Sequence, residues 1–267
     1  MDESKNVLTI KTVQIQPIRN IFTAIKEILT DATITYTQYG IKIINFDKSH
    51  TILVDLILYA RDFETYYCKY DKIIACANSL HLFRIINSLS NDDVLTMYIE
   101  DEDYHDGIVS HLGFQYDNGN RKQCYSQKLR LLEPDIEELI VPEVEFSSVI
   151  TLPTVDFQKV IRDSSAISDR IEIKTVGNDI MFSCEGTFAK TVIYRSESEG
   201  NMNFIQKPND GIIVQGEFSL KSLSSIIKCT PLCTHLEICL GNNLPLIITY
   251  NATVGKIKLC ISPLPPS

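Results

Sequence analysis

Between residues 17 and 29, Ile18, Ile21, Phe22, Ile25, Ile28 and Leu29 recur at helical spacing, with Arg19, Thr23 and Lys26 opposite. The spacing predicts an amphipathic helix, and Pro17 suits its first turn, where a missing backbone donor costs nothing. The period then drops to two, and residues 34–37, 41–46 and 52–59 alternate as strands around a Tyr39-Gly40 turn. A second helix is expected over 79–89, with Leu82, Ile85, Ile86 and Leu89 inward and His81, Arg84 and Ser88 outward. Strands follow over 94–99, 108–116 and 124–131, the last two joined by a turn at Asp117-Asn-Gly-Asn120.

Past the middle of the chain the pattern repeats. A strand over 145–152 leads to Thr154, a residue suited to cap a helix that turns Phe157, Val160 and Ile161 inward and Lys159 and Arg162 outward. Strands over 171–176, 180–184 and 191–195 follow, the first pair joined at Gly177-Asn-Asp179. A fourth helix over 218–228 puts Leu220, Leu223 and Ile227 inward and Lys221 and Lys228 outward, and strands over 236–240, 246–250 and 257–261 close the half. Two short helices per half in a mostly antiparallel β chain is an internal repeat of architecture. The fold class is α+β, with one domain over 1–128, a connector over 129–143 and a second domain over 144–267.

The connector carries five acidic groups between Glu133 and Glu143. Pro134 and Pro142 remove backbone donors and favour extended neighbours, while Ile136, Leu139, Ile140 and Val141 are apolar. It reads as an extended strap lying on a surface, with hydrophobic side chains to offer.

Bulk composition changes this picture little. The 267 residues, 44% of them hydrophobic, suffice for one large or two ordinary cores, and no apolar run approaches the length of a bilayer span, so no membrane partner is expected. The eight cysteines lack the spacing of a disulfide framework and read as reduced thiols inside a cell. A formal charge of −9 argues against a nucleic-acid partner until the charges are placed on elements. The four helices carry Arg19, Lys26, Arg84, Lys159, Arg162, Lys221 and Lys228 against Glu27, Asp156 and Asp163. Lys and Arg are also ordinary residues of solvated helix faces. On a shared surface, however, they make a basic strip suited to duplex phosphates without base reading.

Sharper chemistry finds less support. Cys229, Cys233, His235 and Cys239 lack the paired spacing of a zinc knuckle and read as core residues, so no metal is expected. The run Glu100-Asp-Glu-Asp103 invites a cation-dependent nuclease reading but is better taken as a solvated loop. No motif sets a nucleophile beside His50, and no glycine-rich loop cradles a phosphate. No enzyme and no cofactor are expected.

The stretch Gly40-Ile-Lys-Ile-Ile-Asn-Phe-Asp-Lys-Ser-His-Thr-Ile-Leu-Val-Asp-Leu-Ile-Leu58, followed by Phe63-Glu-Thr-Tyr-Tyr-Cys68, resembles the signature of the proliferating cell nuclear antigen family, the sliding clamps of DNA replication. Ile136-Glu-Glu-Leu-Ile-Val-Pro-Glu143, Arg162-Asp163, Leu244-Pro-Leu-Ile-Ile-Thr-Tyr250 and Gly255-Lys-Ile-Lys258 match in the same order, so the resemblance runs from about Val7 to Pro263. It implies a clamp fold of two similar domains, three copies of which close around double-stranded DNA as a homotrimer. Arg19, Lys26, Arg84, Lys159, Arg162, Lys221 and Lys228 fall on the matching inner helices. DNA polymerase and clamp-loader-type proteins would insert short plugs at Phe46, His50, Leu53, Leu139, Val141, Pro245 and 261–263, that is Ile261 through Pro263. Subunits would join through Cys124, Tyr125 and Leu129 of one copy and Phe188 and Ile193 of the next. The implied place of work is the nucleus or a cytoplasmic replication site. The runner-up within the family is one subunit of a heterotrimeric checkpoint clamp. The connector is slightly longer than the family's and contains Pro134, and Cys260 stands where an aromatic is usual.

Overall fold

The structure, a computed structural model, describes residues 5–105, 107–118, 123–134, 139, 144–198, 201–209 and 211–265. Two compact units emerge. The first comprises Met1–Asn45, Asp55–Leu139 and Ala252–Lys256, and the second Phe46–Val54, Ile140–Asn251 and Ile257–Ser267. The division is interleaved, with a short piece of each half of the sequence counted in the other unit.

The N-terminal part runs β1 (Asn6–Thr12), α1 (Ile15–Ile28), β2 (Asp31–Thr37), β3 (Gly40–Phe46), β4 (Ile52–Tyr59), β5 (Thr65–Cys68), β6 (Ile73–Asn78), α2 (Ser79–Asn87) and β7 (Val94–Glu100). A small ladder of β8 (Tyr104–His105) and β9 (Ile108–Val109) precedes β10 (His111–Asn118) and β11 (Gln123–Arg130). The rest runs β12 (Ser148–Pro153), α3 (Thr154–Ser165), β13 (Arg170–Val176), β14 (Asp179–Glu185), β15 (Lys190–Ser196), β16 (Asn203–Gln206), β17 (Val214–Ser219), α4 (Leu220–Ile226), β18 (His235–Leu240), β19 (Leu246–Ala252) and β20 (Gly255–Ile261).

The expected repeat is visible in the sheet orders. In the first unit the strands lie β5-β1-β7-β10-β11 and β4-β3-β2-β6; in the second they lie β16-β12-β18-β19-β20 and β15-β14-β13-β17. Each order is the other shifted along the chain, helix for helix and strand for strand. In each unit two helices pack side by side, α1 on α2 and α3 on α4. Their buried faces are those the periodicity marks: Ile18, Ile21 and Ile25 in α1, and Phe157, Val160 and Ile161 in α3. Burial of each such side chain contributes roughly 1.5–3 kcal/mol, which makes these faces the main tie between helix and sheet.

Several boundaries differ from the sequence reading for local reasons. Helix α1 begins two residues early, which puts Pro17 at its third position, still inside the turn whose backbone donors have no helical partner. Thr154 is the first residue of α3 and not its cap; its hydroxyl donates to the carbonyls of Cys233 (2.9 Å) and Thr234 (3.2 Å). The single strand expected over 108–116 breaks at Ser110, whose N–H donates to the Asp103 carbonyl at 2.9 Å. Asp117 and Asn118 remain in β10, and the rest of their expected turn lies outside the described residues. The fourth helix is α-helical only to Ile226 and narrows to a 3-10 turn over Ile227–Leu232, which contains Pro231.

Candidate functional site

The helix faces come first. On α3, Lys159 and Arg162 stand three residues apart and exposed, one helical step from each other. Lys221 on α4 and Lys228 on the following 3-10 turn are exposed as well. The two helices are fastened by Ser165 Oγ to Ser224 Oγ (3.1 Å) and by Gln158 Nε2 donating to the Ile227 carbonyl (3.4 Å). The second unit thus presents four cations on one helix pair. Of the two acidic groups on α3, Asp163 follows Arg162 directly and is exposed, while Asp156 is turned to Arg195 at 3.6 Å.

The first unit is different, and here the sequence reading needs correction. Arg84 is exposed on α2 as expected. Arg19 is half-buried, its guanidinium donating to the Leu89 carbonyl (2.5 Å), Asn91 Oδ1 (2.7 Å) and Gln16 Oε1 (2.8 Å). It braces α1 against the turn after α2. The Lys26 side chain is 18% exposed, paired with Glu27, with its ammonium 4.7 Å from the centre of the Phe83 ring. Neither side chain is held ready for an outside phosphate.

The acidic run is occupied from within. Lys128 of β11 donates to Glu100 Oε2 (2.5 Å) and Asp103 Oδ2 (2.9 Å), and Glu102 lies 3.8 Å away. These carboxylates, Glu100 foremost, raise the lysine above its ordinary range. Burial would raise the Asp103 carboxyl, but Lys128, Ser110 and His111 outweigh it and hold the group below the usual range. An ammonium therefore sits where a nuclease would need its metal. The zinc candidates are likewise dispersed: Cys229 is fully buried, the Cys233 thiol donates to the His235 carbonyl (3.0 Å), and Cys239 turns to Glu237. Among the described residues, no cluster of three or more His, Cys, Asp or Glu is arranged to hold a metal.

A third constellation lies within the second unit around residues 46–51. The Phe46 and His50 rings are 5.4 Å apart, and Phe46 is partly exposed. His50 adopts a left-handed conformation (φ 55°) that a non-glycine residue keeps only when its surroundings hold it. Asp47 supplies that restraint, accepting from the backbone N–H of Thr51 (2.7 Å), Ile52 (2.7 Å) and Ser49 (3.2 Å) and from the Ser49 hydroxyl. Burial acts to raise this carboxyl too, but those hydrogen bonds prevail and lower it. The C-terminal segment joins here, with Ser262 N–H donating to the Thr51 carbonyl at 3.1 Å. Leu53 is half-buried, and Pro245 and Pro263 are exposed. Ile261 is a correction: it is fully buried at the end of β20, because the alternation of that strand points it into the core, so its side chain has nothing to offer a partner. Leu139 is half-buried in the first unit, and Val141 lies outside the described residues.

Both Asp47 and Asp103 have folded values below their unfolded ones. Their contribution to stability is therefore complete above the ordinary Asp value of about 3.9 and is lost as pH falls through the lower folded values. The urea midpoint should hold from neutral pH down to about 4 and then drop. An Asp47→Asn, Asp103→Asn variant should begin lower and show a shallower acid limb; an unchanged limb would show that these carboxylates do not control it.

Two long sheet edges carry no further strand among the described residues. Strand β11, eight residues, ends the first unit's five-stranded sheet, and β15, seven residues, ends the second unit's four-stranded sheet. Other edges are short or covered. Strands β5 and β16 have four residues each, Leu132 bridges to Cys76 on β6, and Leu264 N–H donates to Glu217 on β17. The strands at the topologically equivalent positions are also engaged: Tyr59 of β4 donates to Val254 (3.3 Å) in the first unit, and Ser262 after β20 to Thr51 in the second. On β11, Cys124 and Tyr125 are exposed and Leu129 half-buried, and Tyr125 stacks on Tyr116 with ring centres 5.0 Å apart. Beside and along β15, Phe188 is 76% exposed, Val192 40% and Tyr194 69%, with Ile193 half-buried. The sequence reading set this edge at 188–196 and singled out Phe188 and Ile193 within it; the most exposed side chains of the strand's apolar run are Val192 and Tyr194. The signal was available: three consecutive apolar residues in one strand give it two apolar faces, which a sheet end cannot bury alone. A recess of about 200 Å³ opens beside β15, lined by Leu152, Val160, Phe182, Tyr194 and Met202 among others.

The chain resembles known proteins over nearly its whole length. Residues 7–138 match the family model "Proliferating cell nuclear antigen, N-terminal domain", and residues 140–264 match its C-terminal counterpart. The chain is 30% identical over 272 residues to the "Probable DNA polymerase sliding clamp 1" of Paramecium bursaria Chlorella virus 1, covering 99% of each chain. It is 29% identical over 253 residues to the proliferating cell nuclear antigen of Chaetomium thermophilum, covering 92% of this chain and 93% of the relative. The crystal structure of the Entamoeba histolytica proliferating cellular nuclear antigen superposes with a TM-score of 0.86 at 22% identity, covering 97% of this chain and 99% of that one.

Proposed function

We propose, because this chain belongs to the proliferating cell nuclear antigen family and is a DNA sliding clamp, that three copies close head to tail around duplex DNA and tether a polymerase to its template. The observation that carries the closure is the pair of long open edges, one in each unit. When β11 of one copy pairs with β15 of the next, each copy still has one edge to give, and the chain of contacts ends only when a ring closes. The exposed apolar side chains along both strands supply the buried core that such an interface needs.

The duplex then meets helix faces whose lysines and arginines contact phosphates and read no base, so the ring stays on without choosing a sequence. Partners dock on the second unit at Phe46, His50, Leu53 and Pro245 and along the exposed tail at Ser262 and Pro263. A helical plug with aromatic and aliphatic anchors suits a rim held rigid by Asp47. Clamp-loader-type proteins would use the same place. The clamp acts where DNA is copied, in the nucleus or at a cytoplasmic replication site. It performs no chemistry of its own: affinity is topological, and the acidic run is neutralised by Lys128.

Lys221→Glu combined with Arg162→Glu tests the DNA face. Stimulation of a polymerase on a primed circular template should fall to the level without clamp, while the molar mass by light scattering stays that of the unchanged chain. Stimulation that survives the reversal would place the DNA elsewhere.

A further inference from the structure

We propose that the phosphate contacts of this clamp are carried by its C-terminal unit, through Lys159, Arg162, Lys221 and Lys228, while Arg19 and Lys26 of the N-terminal unit are structural. The inference rests on the reading that the clamp encircles duplex DNA and assigns the work within that site.

Direct contacts with phosphate, which release condensed counterions, require a cation that can leave its present partners. Among the described residues, Lys159, Arg162, Lys221 and Lys228 have no ion-pair partner, all four are exposed, and they share one helix pair. A phosphate approaching that face displaces only water and counterions. In the N-terminal unit, only Arg84 among the Lys and Arg residues of α1 and α2 is in the same condition. For Arg19 to reach a phosphate, it must abandon the Leu89 carbonyl and Asn91, and with them the brace between α1 and the turn after α2. Lys26 must leave the face of Phe83 and the carboxylate of Glu27, and its charge is already balanced there. The remaining outward groups on these two helices, among them Gln16, Asn20, His81 and Asn87, are not lysine or arginine. Each copy therefore contributes one strongly basic helix pair and one that is mainly polar, and a threefold ring holds its duplex at three patches separated by weaker arcs.

The test measures affinity of the full chain for a short linear duplex of mixed sequence, by fluorescence anisotropy over a series of salt concentrations. A Lys221→Ala, Lys228→Ala variant and a Lys159→Ala, Arg162→Ala variant should each lose about 10-fold or more in affinity, with a flatter dependence on log salt. Lys26→Gln should bind within about twofold of the unchanged chain with the same salt slope. Arg19→Gln should behave likewise in binding but melt at lower temperature. Lys26→Gln, which breaks no brace, decides the matter if the Arg19 variant does not fold. A loss from Lys26→Gln as large as that from the Lys221, Lys228 pair would overturn the assignment while leaving the clamp intact. Failure of the unchanged chain to form a trimer would overturn the encircling reading, and this inference with it; a trimer that shows no binding to the linear duplex at any salt would overturn the phosphate-contact assignment alone.

Discussion

Aspartates placed at Val192 and Tyr194 will leave the chain a 30.3 kDa monomer under conditions in which the unchanged chain weighs three times that mass. Both side chains project from the open strand β15 and are exposed within a single copy, 40% and 69% respectively. The folded chain therefore loses little by the change, and its melting temperature should move by no more than about 2 °C. In the proposed ring the same carboxylates would face the neighbouring copy's β11, and an unpaired buried charge costs several kcal/mol after relaxation. At about 1.4 kcal/mol per tenfold, roughly 4 kcal/mol weakens the contact about a thousandfold. A closed ring has such a contact at every junction. Light scattering across a dilution series reads the mass, and polymerase stimulation on circular templates should vanish with it. Tyr125→Asp on β11 should reproduce the result from the opposite side. A trimer that persists with both strands charged would place the subunit interface on other surfaces and remove the main support for a ring closed through β11 and β15.

Gly40→Ala is expected to lower the stability of the chain by several kcal/mol. The residue sits at φ +143°, a conformation that side chains avoid, in the tight turn between β2 and β3. A methyl there would lie 2.0 Å from the Leu58 carbonyl oxygen and 3.0 Å from the Ala60 nitrogen, both backbone atoms that have no rotamer to yield. Ala60 is in turn held to the Tyr39 carbonyl at 2.9 Å, so the turn cannot lift away without breaking that bond. Strain and overpacking together cost about 2–5 kcal/mol. At roughly 2–4 °C per kcal/mol for a chain of this size, the melting temperature should fall by about 5–15 °C. Gly177→Ala is the control. It also has positive φ, +58°, but nothing lies within 4 Å of the added methyl, so only the backbone preference of about 1 kcal/mol is lost. Equal shifts for the two variants would show that the approach to Leu58 is not the constraint.

How much of this was legible beforehand differs by element. The four helices, the strands that alternate cleanly and the Tyr39-Gly40 and Gly177 turns follow from periodicity and turn chemistry, which are local. The missed elements, β1, β5, β6, β16 and β17, are weakly patterned in sequence. Strand β1 is buried along nearly its whole length and so shows no alternation, while β5 and β16 are four residues long. Such strands exist because a neighbour pairs with them, as β1 does with β5 and β7.

The sequence by itself determined that two similar α+β units are built on one chain, that the basic residues concentrate on helices, and which stretches carry the family's motifs. These depend on residue type and spacing, and hydrophobic period is a property of the string. Only the tertiary structure decided which of those residues are available. Arg19 and Lys26 bear the same charge as Lys159 and Arg162 and likewise lie off the apolar stripe of their helix, yet Leu89, Asn91, Phe83 and Glu27 engage them. Ile261 belongs to a matched segment but points into the core, and Lys128 silences an acidic run that reads as exposed. The open edges of β11 and β15 are defined by which strands are not beside them. Whether a side chain has a partner depends on residues tens of positions away, and no local pattern records that distance.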